Sequence, residues 1–162
     1  MKKELPKILE STATVRFQDC DPNRHLNNAR FIHYFINARE DQVKEYYDFD
    51  LFKLAAEEGI GWFITQSQIA FFRPAMLMEE VVIQSKTIGF TDRKLKVELL
   101  MFNRDKSSLK SVMWAEFTHY NFVKQKSETH DQRLIDMFSA VVVPLETNIF
   151  EERVQELRNL RR

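Results

Sequence analysis

VRFQDCDPNRHLNNARFIHYFINARE, residues 15–40, is the stretch from which the rest of the chain is read. Thr12 to Gln18 alternates β-branched and aromatic residues with polar ones and predicts a strand. From about Asn28 the apolar residues fall at helical spacing and predict a helix. Between the two lie Asp19, Asp21, Asn23, His25, Asn27 and Asn28, packed into ten residues. A strand that hands carboxylate, amide and imidazole groups to a helix start sets them beside unpaired backbone N–H groups and a partial positive charge. That environment suits a developing oxyanion. The same residue types also serve a plainer purpose, because Asp21 or Asn27 could simply cap the helix.

The helix pattern runs from Asn28 to about Tyr47. Phe31, Phe35, Ala38 and Tyr46 share one side, Ile32, Ile36, Val43 and Tyr47 the adjoining one, and Arg30, His33, Asn37, Asp41 and Lys44 the remainder. A helix apolar over more than half its circumference should be largely wrapped by other structure. Asp48 to Glu58 reads as a shorter helical or irregular piece, stopped by Gly59 and Gly61. The rest is mostly strands: Gly61 to Arg73, ended by Pro74; Glu80 to Phe90; Lys94 to Phe102; and Ser111 to Val123. In the third of these, Leu95, Val97, Leu99 and Met101 oppose Lys94, Lys96 and Glu98, which predicts one buried and one polar face. Asn103 to Ser108 reads as a turn and Lys124 to Asp131 as a polar loop. Short helices follow at Gln132 to Ala140 and Asn148 to Arg162, the latter ending in the solvated basic residues Arg158, Arg161 and Arg162. Met1 to Ser11 reads as a polar lead-in. Strand, long helix, then a run of strands without βαβ alternation places the chain in the α+β class.

Length predicts one domain over residues 1–162, with a core at about 12–123 and a helical extension at about 124–162. Lys plus Arg and Asp plus Glu are 24 each, so charge supplies no general reason to expect nucleic acid or an anionic membrane as partner. Cys20 is the single cysteine, which excludes an internal disulfide and a multi-cysteine zinc site and makes the cytosol the default compartment. The opening MKKELPKILE carries no apolar run, so no secretory signal is expected, nor is any later stretch apolar and long enough for membrane insertion.

The run D-C-D-P-N-R-H-L-N-N-A-R-F, residues 19–31, resembles the signature of hotdog-fold acyl-CoA thioesterases. Its D-C-D-P part is similar to 4-hydroxybenzoyl-CoA thioesterase. Its H-L-N-N-A-R part is similar to long-chain acyl-CoA and plant acyl-ACP thioesterases, whose pattern is D-x-N-x-H-x-N-N. Phe71-Phe72-Arg73-Pro74-Ala75 matches a second segment, Y-x-R-P-A, and two motifs in order over residues 12–123 are more specific than one. The resemblance implies a curved antiparallel sheet wrapped around one long central helix. It also implies a homodimer or dimer of dimers that hydrolyses an acyl-CoA to free acid and coenzyme A without metal or other cofactor.

Residue by residue, the resemblance implies that Asp21 is the catalytic carboxylate, acting as nucleophile or general base. Asn23 and His25 would hold water or polarise the carbonyl, and the Asn28 backbone N–H would face the thioester oxygen. Thr65, Gln66 and Ser67 lie on the strand that brings polar groups to a partner's site, and Arg73, Arg93 and Lys94 are candidates for the coenzyme A phosphates. Asp19 is expected to be a structural acceptor, and Cys20, between two carboxylates, is a poor nucleophile. His119 and His130 stand alone in sequence, without metal-ligand spacing. Asn23-Arg24 replaces the alanine-glycine of the benzoyl-CoA type, which favours an aliphatic acyl group. An acyl-ACP thioesterase, a hotdog enoyl-CoA hydratase (pattern D-x-N-P-x-H, with a different spacing) and a non-catalytic acyl-CoA sensor are the rival readings.

Overall fold

A computed structural model describes residues 4–160; Arg161 and Arg162, expected to close the last helix, lie outside the described residues. Five strands make a sheet in the order β1-β3-β4-β5-β2, every neighbour antiparallel. They are β1 (Leu9–Thr14), β2 (Ile60–Phe71), β3 (Glu80–Phe90), β4 (Lys94–Asn103) and β5 (Leu109–Asn121). A two-residue β6 (Lys126–Ser127) pairs with the end of β5, inside the stretch expected to be a polar loop. The helices are α1 (Asn28–Tyr47), α2 (Leu51–Glu58), α3 (Gln132–Val141) and α4 (Phe150–Asn159), so the class is α+β as expected. Among the described residues no helix is long and apolar enough to cross a membrane.

The first strand lies three residues earlier than its pattern suggests. β1 begins at Leu9, within the expected lead-in, because its ladder is set by β3: Leu9 faces Ser85 and Thr14 faces Glu80, where β3 itself starts. Beyond Thr14 only Val15 continues the pairing, exchanging hydrogen bonds with Glu79 and Met78, and Phe17–Asp19 then forms a 3₁₀ turn.

The inner face of the sheet carries α1. Val81, Ile83, Val97, Leu99, Met101, Met113 and Ala115 meet Phe31, Phe35 and Ala38 in one buried cluster. Each buried Phe contributes about 1.5–3 kcal/mol. Asn27 caps the helix through its side chain, which accepts the Ala29 N–H at 2.9 Å, and Asp48 ends it in the left-handed region at φ 54°. Tyr46, expected on the buried side, is exposed. Two residues of polar type, Arg39 and Gln42, are buried instead. Gln42 Nε2 donates to Ser11 Oγ at 2.8 Å and Ile83 O at 2.9 Å, and Ser85 Oγ donates back to Gln42 Oε1 at 2.6 Å. Arg39 donates to Ser85 Oγ at 2.9 Å and Thr87 Oγ1 at 3.2 Å. Hydroxyls and a carbonyl on β1 and β3 thus take hydrogen bonds from two side chains that hydrophobic periodicity would have placed in water.

Bulges shift the facing pattern at three places among the described residues: between Ile64 and Gln66 on β2, between Thr87 and Gly89 on β3, and at Lys110 on β5, which is skipped between Met101 and Phe102 of β4. Trp62 and Ile64 line the inner side before the first bulge, and Ile69 packs inward after it. A bulge bends its strand and increases local twist, which helps the sheet curl around α1.

The outer face of the sheet is not a solvent face. Val82, Phe102, Val112 and Trp114 pack under Phe150, Val154 and Leu157 of α4. Glu98, expected among exposed polar residues, is 1% exposed. It takes two hydrogen bonds at 2.8 Å from Arg153 and one at 2.9 Å from Trp114 Nε1, with Lys86 at 3.4 Å. Burial pushes the Glu98 carboxyl up, but these donors together hold it below its ordinary value. A carboxyl depressed in the fold stabilises it above the unfolded pKa, and that contribution is lost as pH falls through the folded value. Arg153→Met, which leaves a buried carboxylate without its main partner, is expected to lower unfolding free energy by about 3–5 kcal/mol in urea titrations at neutral pH. The wild-type protein should lose stability as pH falls below about 4, and Glu98→Gln should flatten that dependence.

Candidate active site

The loop between β1 and α1 is sewn to the segment that follows β2. Leu26 N–H donates to Ala75 O at 2.8 Å, Leu77 N–H to Arg24 O at 2.9 Å, and His25 and Met76 form an isolated bridge. The two motifs singled out in the sequence thus meet in space. Within the loop, Asp21 N–H donates to His25 O at 2.8 Å and Arg24 N–H to Asp21 O at 3.0 Å. Arg24 holds the turn in the left-handed region at φ 61°.

That turn orients the Asp21 carboxylate. Its Oδ1 accepts the Asn23 N–H at 2.9 Å and the His25 N–H at 3.2 Å. Its Oδ2 has no partner among the described residues, so one oxygen is anchored and the other is available. A pocket of about 210 Å³ brings Asp21 together with His25, Asn28 and Arg73. Phe31, Phe71 and Phe72 supply apolar wall, with Phe31 and Phe71 edge to face at 5.1 Å. The pocket lies at the start of α1. There the Ala29 N–H is taken by the Asn27 side chain and the Arg30 N–H by the Asn27 carbonyl. Asn28 N–H has no acceptor among the described residues, at the end of the helix where the dipole is positive.

Asp19 belongs to different surroundings. Its Oδ2 accepts the Tyr34 hydroxyl at 2.8 Å, and it lines a polar groove between β1 and α1. Burial, with Asp19 beside it, pushes the Tyr34 hydroxyl above its ordinary value against the pull of the Arg16 N–H. Burial and the flanking Asp19 and Asp21 also push the Cys20 thiol up, which keeps it protonated and unsuited to nucleophilic attack.

The remaining candidates are elsewhere. Asn23 is exposed, and its recorded contact with Asp21 is through its backbone N–H. Thr65, Gln66 and Ser67 are exposed on β2, with Thr65 Oγ1 2.8 Å from Thr118 Oγ1. Lys94 pairs with Glu116 at 2.6 Å, and Arg93 Nη1 donates to Ser127 O at 3.1 Å. Phe71, in the Asp21 pocket, faces Ser111 on β5, whereas Lys94 faces Thr118. Those β5 positions are about 23 Å apart along the strand. Arg93 and Lys94 thus stand at the opposite end of the sheet from the Asp21 pocket within one chain.

Three groupings were hidden in the sequence. Phe31 and Phe71 belong to the pocket, which only the register of β2 reveals. His119 and His130 come together at 5.0 Å between ring centroids and pack against Trp62, because β6 folds back on β5. Among the described residues no group of His, Cys, Asp or Glu is arranged to hold a metal ion. The third grouping is the buried Arg39 with Ser85 and Thr87 of β3.

A family model for the thioesterase-like superfamily matches residues 15–145, which include every residue of this pocket. No curated protein matches the chain. Among solved structures, a 1,4-dihydroxy-2-naphthoyl-CoA thioesterase from Synechocystis superposes with TM-score 0.73 at 11% identity, covering 82% of this chain and 96% of its own. A DHNA-CoA thioesterase from Staphylococcus aureus superposes with TM-score 0.73 at 15% identity, covering 96% and 95%. A hypothetical protein from Staphylococcus aureus in complex with CoA reaches TM-score 0.74 at 13% identity, covering 91% and 93%. The shared architecture is the hotdog fold, a curled antiparallel sheet around a long helix.

The geometry separates the two carboxylates in a testable way. Tyr34→Phe removes the hydroxyl that binds Asp19 and accepts the Arg16 N–H at 3.0 Å. Thermal or urea unfolding should show a loss of roughly 1–2 kcal/mol, since part-buried partners are left unsatisfied, while turnover per folded molecule stays within about twofold.

Proposed function

We propose that this chain, a thioester hydrolase that belongs to the thioesterase-like superfamily, cleaves aliphatic acyl-CoA to free acid and coenzyme A, with Asp21 as its catalytic carboxylate. The observation that carries this reading is the half-anchored carboxylate. Two backbone N–H groups fix Asp21 Oδ1, leaving Oδ2 without a partner among the described residues, in a pocket shared with the start of α1. Oδ2 either takes a proton from a water that attacks the carbonyl carbon or attacks that carbon itself. In both routes an electron pair moves onto the carbonyl oxygen, where the Asn28 N–H and the helix start stabilise it, and then returns to expel the thiolate; in the second route water then hydrolyses the acyl–Asp21 anhydride, releasing the acid and restoring the carboxylate. His25, a residue of the same pocket, would hold water or polarise the carbonyl. The apolar wall of Phe31, Phe71 and Phe72 suits an acyl chain, and Arg73 suits a coenzyme A phosphate. The CoA complex of a structural relative supports a CoA thioester as substrate.

The active assembly in this reading is a homodimer. β2 is a twelve-residue edge strand, and Phe63 is 48% and Ile64 38% exposed on it. A long edge with exposed apolar side chains is a pairing surface unless something covers it. Pairing β2 with β2 of a second copy would bring the partner's Thr65, Gln66 and Ser67 toward the site. Light scattering at micromolar concentration should give a dimer or a dimer of dimers. A monomer would remove the partner from the mechanism.

Asp21→Asn keeps the size of the side chain and removes its basicity, so kcat should fall by a factor on the order of a hundred or more with KM nearly intact. Arg73→Ala should instead raise KM with little change in kcat, because phosphate contacts are made equally in ground and transition states. Both are measured on the best substrate from a series of aliphatic acyl-CoA esters, 1,4-dihydroxy-2-naphthoyl-CoA, an acyl carrier protein thioester and crotonyl-CoA. Preferred turnover of an aromatic or carrier-protein thioester, or hydration of crotonyl-CoA, would replace the aliphatic acyl-CoA assignment. A folded Asp21→Asn protein with near-normal turnover would remove Asp21 from the mechanism.

A further inference from the structure

Behind the second half of α1 lies a cavity of about 150 Å³ that shares no lining residue with the Asp21 pocket. On the helix its wall is Ile36, Arg39, Glu40, Val43 and Tyr47, a stripe at helical spacing. The sheet and α3 close it with side chains such as Trp62, Val97 and Phe138, so the wall is largely apolar. Arg39 lies eleven positions beyond Asn28 on the helix, a rise of about 16 Å.

Arg39 is out of place in such a wall. It is 8% exposed, and its hydrogen-bond acceptors are two neutral hydroxyls, Ser85 Oγ and Thr87 Oγ1. It makes no ion pair with a carboxylate among the described residues. Glu40, the one carboxylate on the wall, is not among its partners. Burial pulls the guanidinium down to about 10, with Tyr47 opposing, so it is still charged at neutral pH. A guanidinium has five N–H donors, and the two hydroxyls leave some of them without an acceptor. Buried charges are otherwise paired, because an unpaired one is costly. Thr87 also lines the cavity, and its hydroxyl proton has no acceptor among the described residues.

We propose that this cavity binds a small apolar carboxylate, its oxygens paired with Arg39 and its chain or ring against the apolar wall. The guanidinium fork matches a planar carboxylate, to which Thr87 can add a donor. A phosphate dianion would bring more charge than one arginine offsets. An apolar cavity of about 150 Å³ is large enough for a benzene-sized group, so a chain of about six carbons fits. The site goes beyond the hydrolase reading and stands whether or not Asp21 cleaves thioesters.

The test is calorimetry of the full chain at neutral pH with hexanoate, hexanamide and hexanol, read alongside methyl NMR. Hexanoate should bind at one per chain, and hexanamide should bind roughly tenfold or more weakly, since charge-assisted hydrogen bonds are about twice as strong as neutral ones. Methyl signals of Val97 and Val141, on the cavity wall, should shift on titration, and those of Leu26, in the Asp21 pocket, should not. Arg39→Met should lose the preference for hexanoate while binding hexanol as well as the wild type does. If that variant does not fold, the comparison of hexanoate with hexanamide on the wild type still decides the matter. Equal binding of the two, no binding at about 10 mM, shifts confined to Leu26, or a preference that survives in a folded Arg39→Met protein would overturn the proposal.

Discussion

Helix α1 is seated on the sheet by two unlike contacts, and everything with chemical potential in the molecule depends on that seat. Under its first half, Phe31 and Phe35 pack into an apolar cluster with β3, β4 and β5. Under its second half, Arg39 and Gln42 reach hydroxyls and a carbonyl on β1 and β3. Hydrophobic packing fixes how deep the helix lies but is tolerant of sliding. Directional hydrogen bonds from Gln42 and Ser85 favour one register along the axis. The position of the helix start, and with it the Asn28 N–H, follows from that register.

The same sheet does opposite work on its outer face. Glu98 sits among apolar side chains of β4, β5 and α4, held ionised by Arg153, Trp114 and Lys86. Such a pair is a weak source of net stability compared with an apolar replacement, but breaking it is costly. It therefore acts chiefly to specify where α4 docks. With α4 in place and α1 on the inner face, the open part of the sheet is the β2 edge, beside the pocket that holds Asp21.

Much of this was legible in residues, and the exceptions share a physical cause. The helix from Asn28 to Tyr47, the strand from Glu80 to Phe90 and the grouping of Asp21, His25 and Asn28 all follow from local patterns, which period and motif capture well. The start of β1 was misplaced because its ends are set by Ser85 and Glu80, more than sixty residues away. Glu98 read as a solvent residue because α4, which covers it, is remote in sequence and weakly apolar. On β2 the bulge at Thr65 reverses the phase of the facing pattern, which residue types alone do not reveal. Arg39 and Gln42 were hidden for a related reason: a polar side chain is buried wherever a distant strand offers it partners. Arg93 and Lys94 offer the same charge as Arg73, and within one chain strand register puts them at the other end of the sheet.

The central claim is geometric: a thioester carbonyl sits between the free oxygen of Asp21 and the first amide of α1. A crystal structure with an acyl-CoA analogue in which methylene replaces the thioester sulfur tests it most directly. The account predicts the carbonyl carbon about 3–3.5 Å from Asp21 Oδ2 or from one intervening water, with the carbonyl oxygen within hydrogen-bonding distance of the Asn28 N–H. An analogue bound with its carbonyl against Asp19 and Tyr34, or anywhere beyond reach of the α1 start, would contradict it.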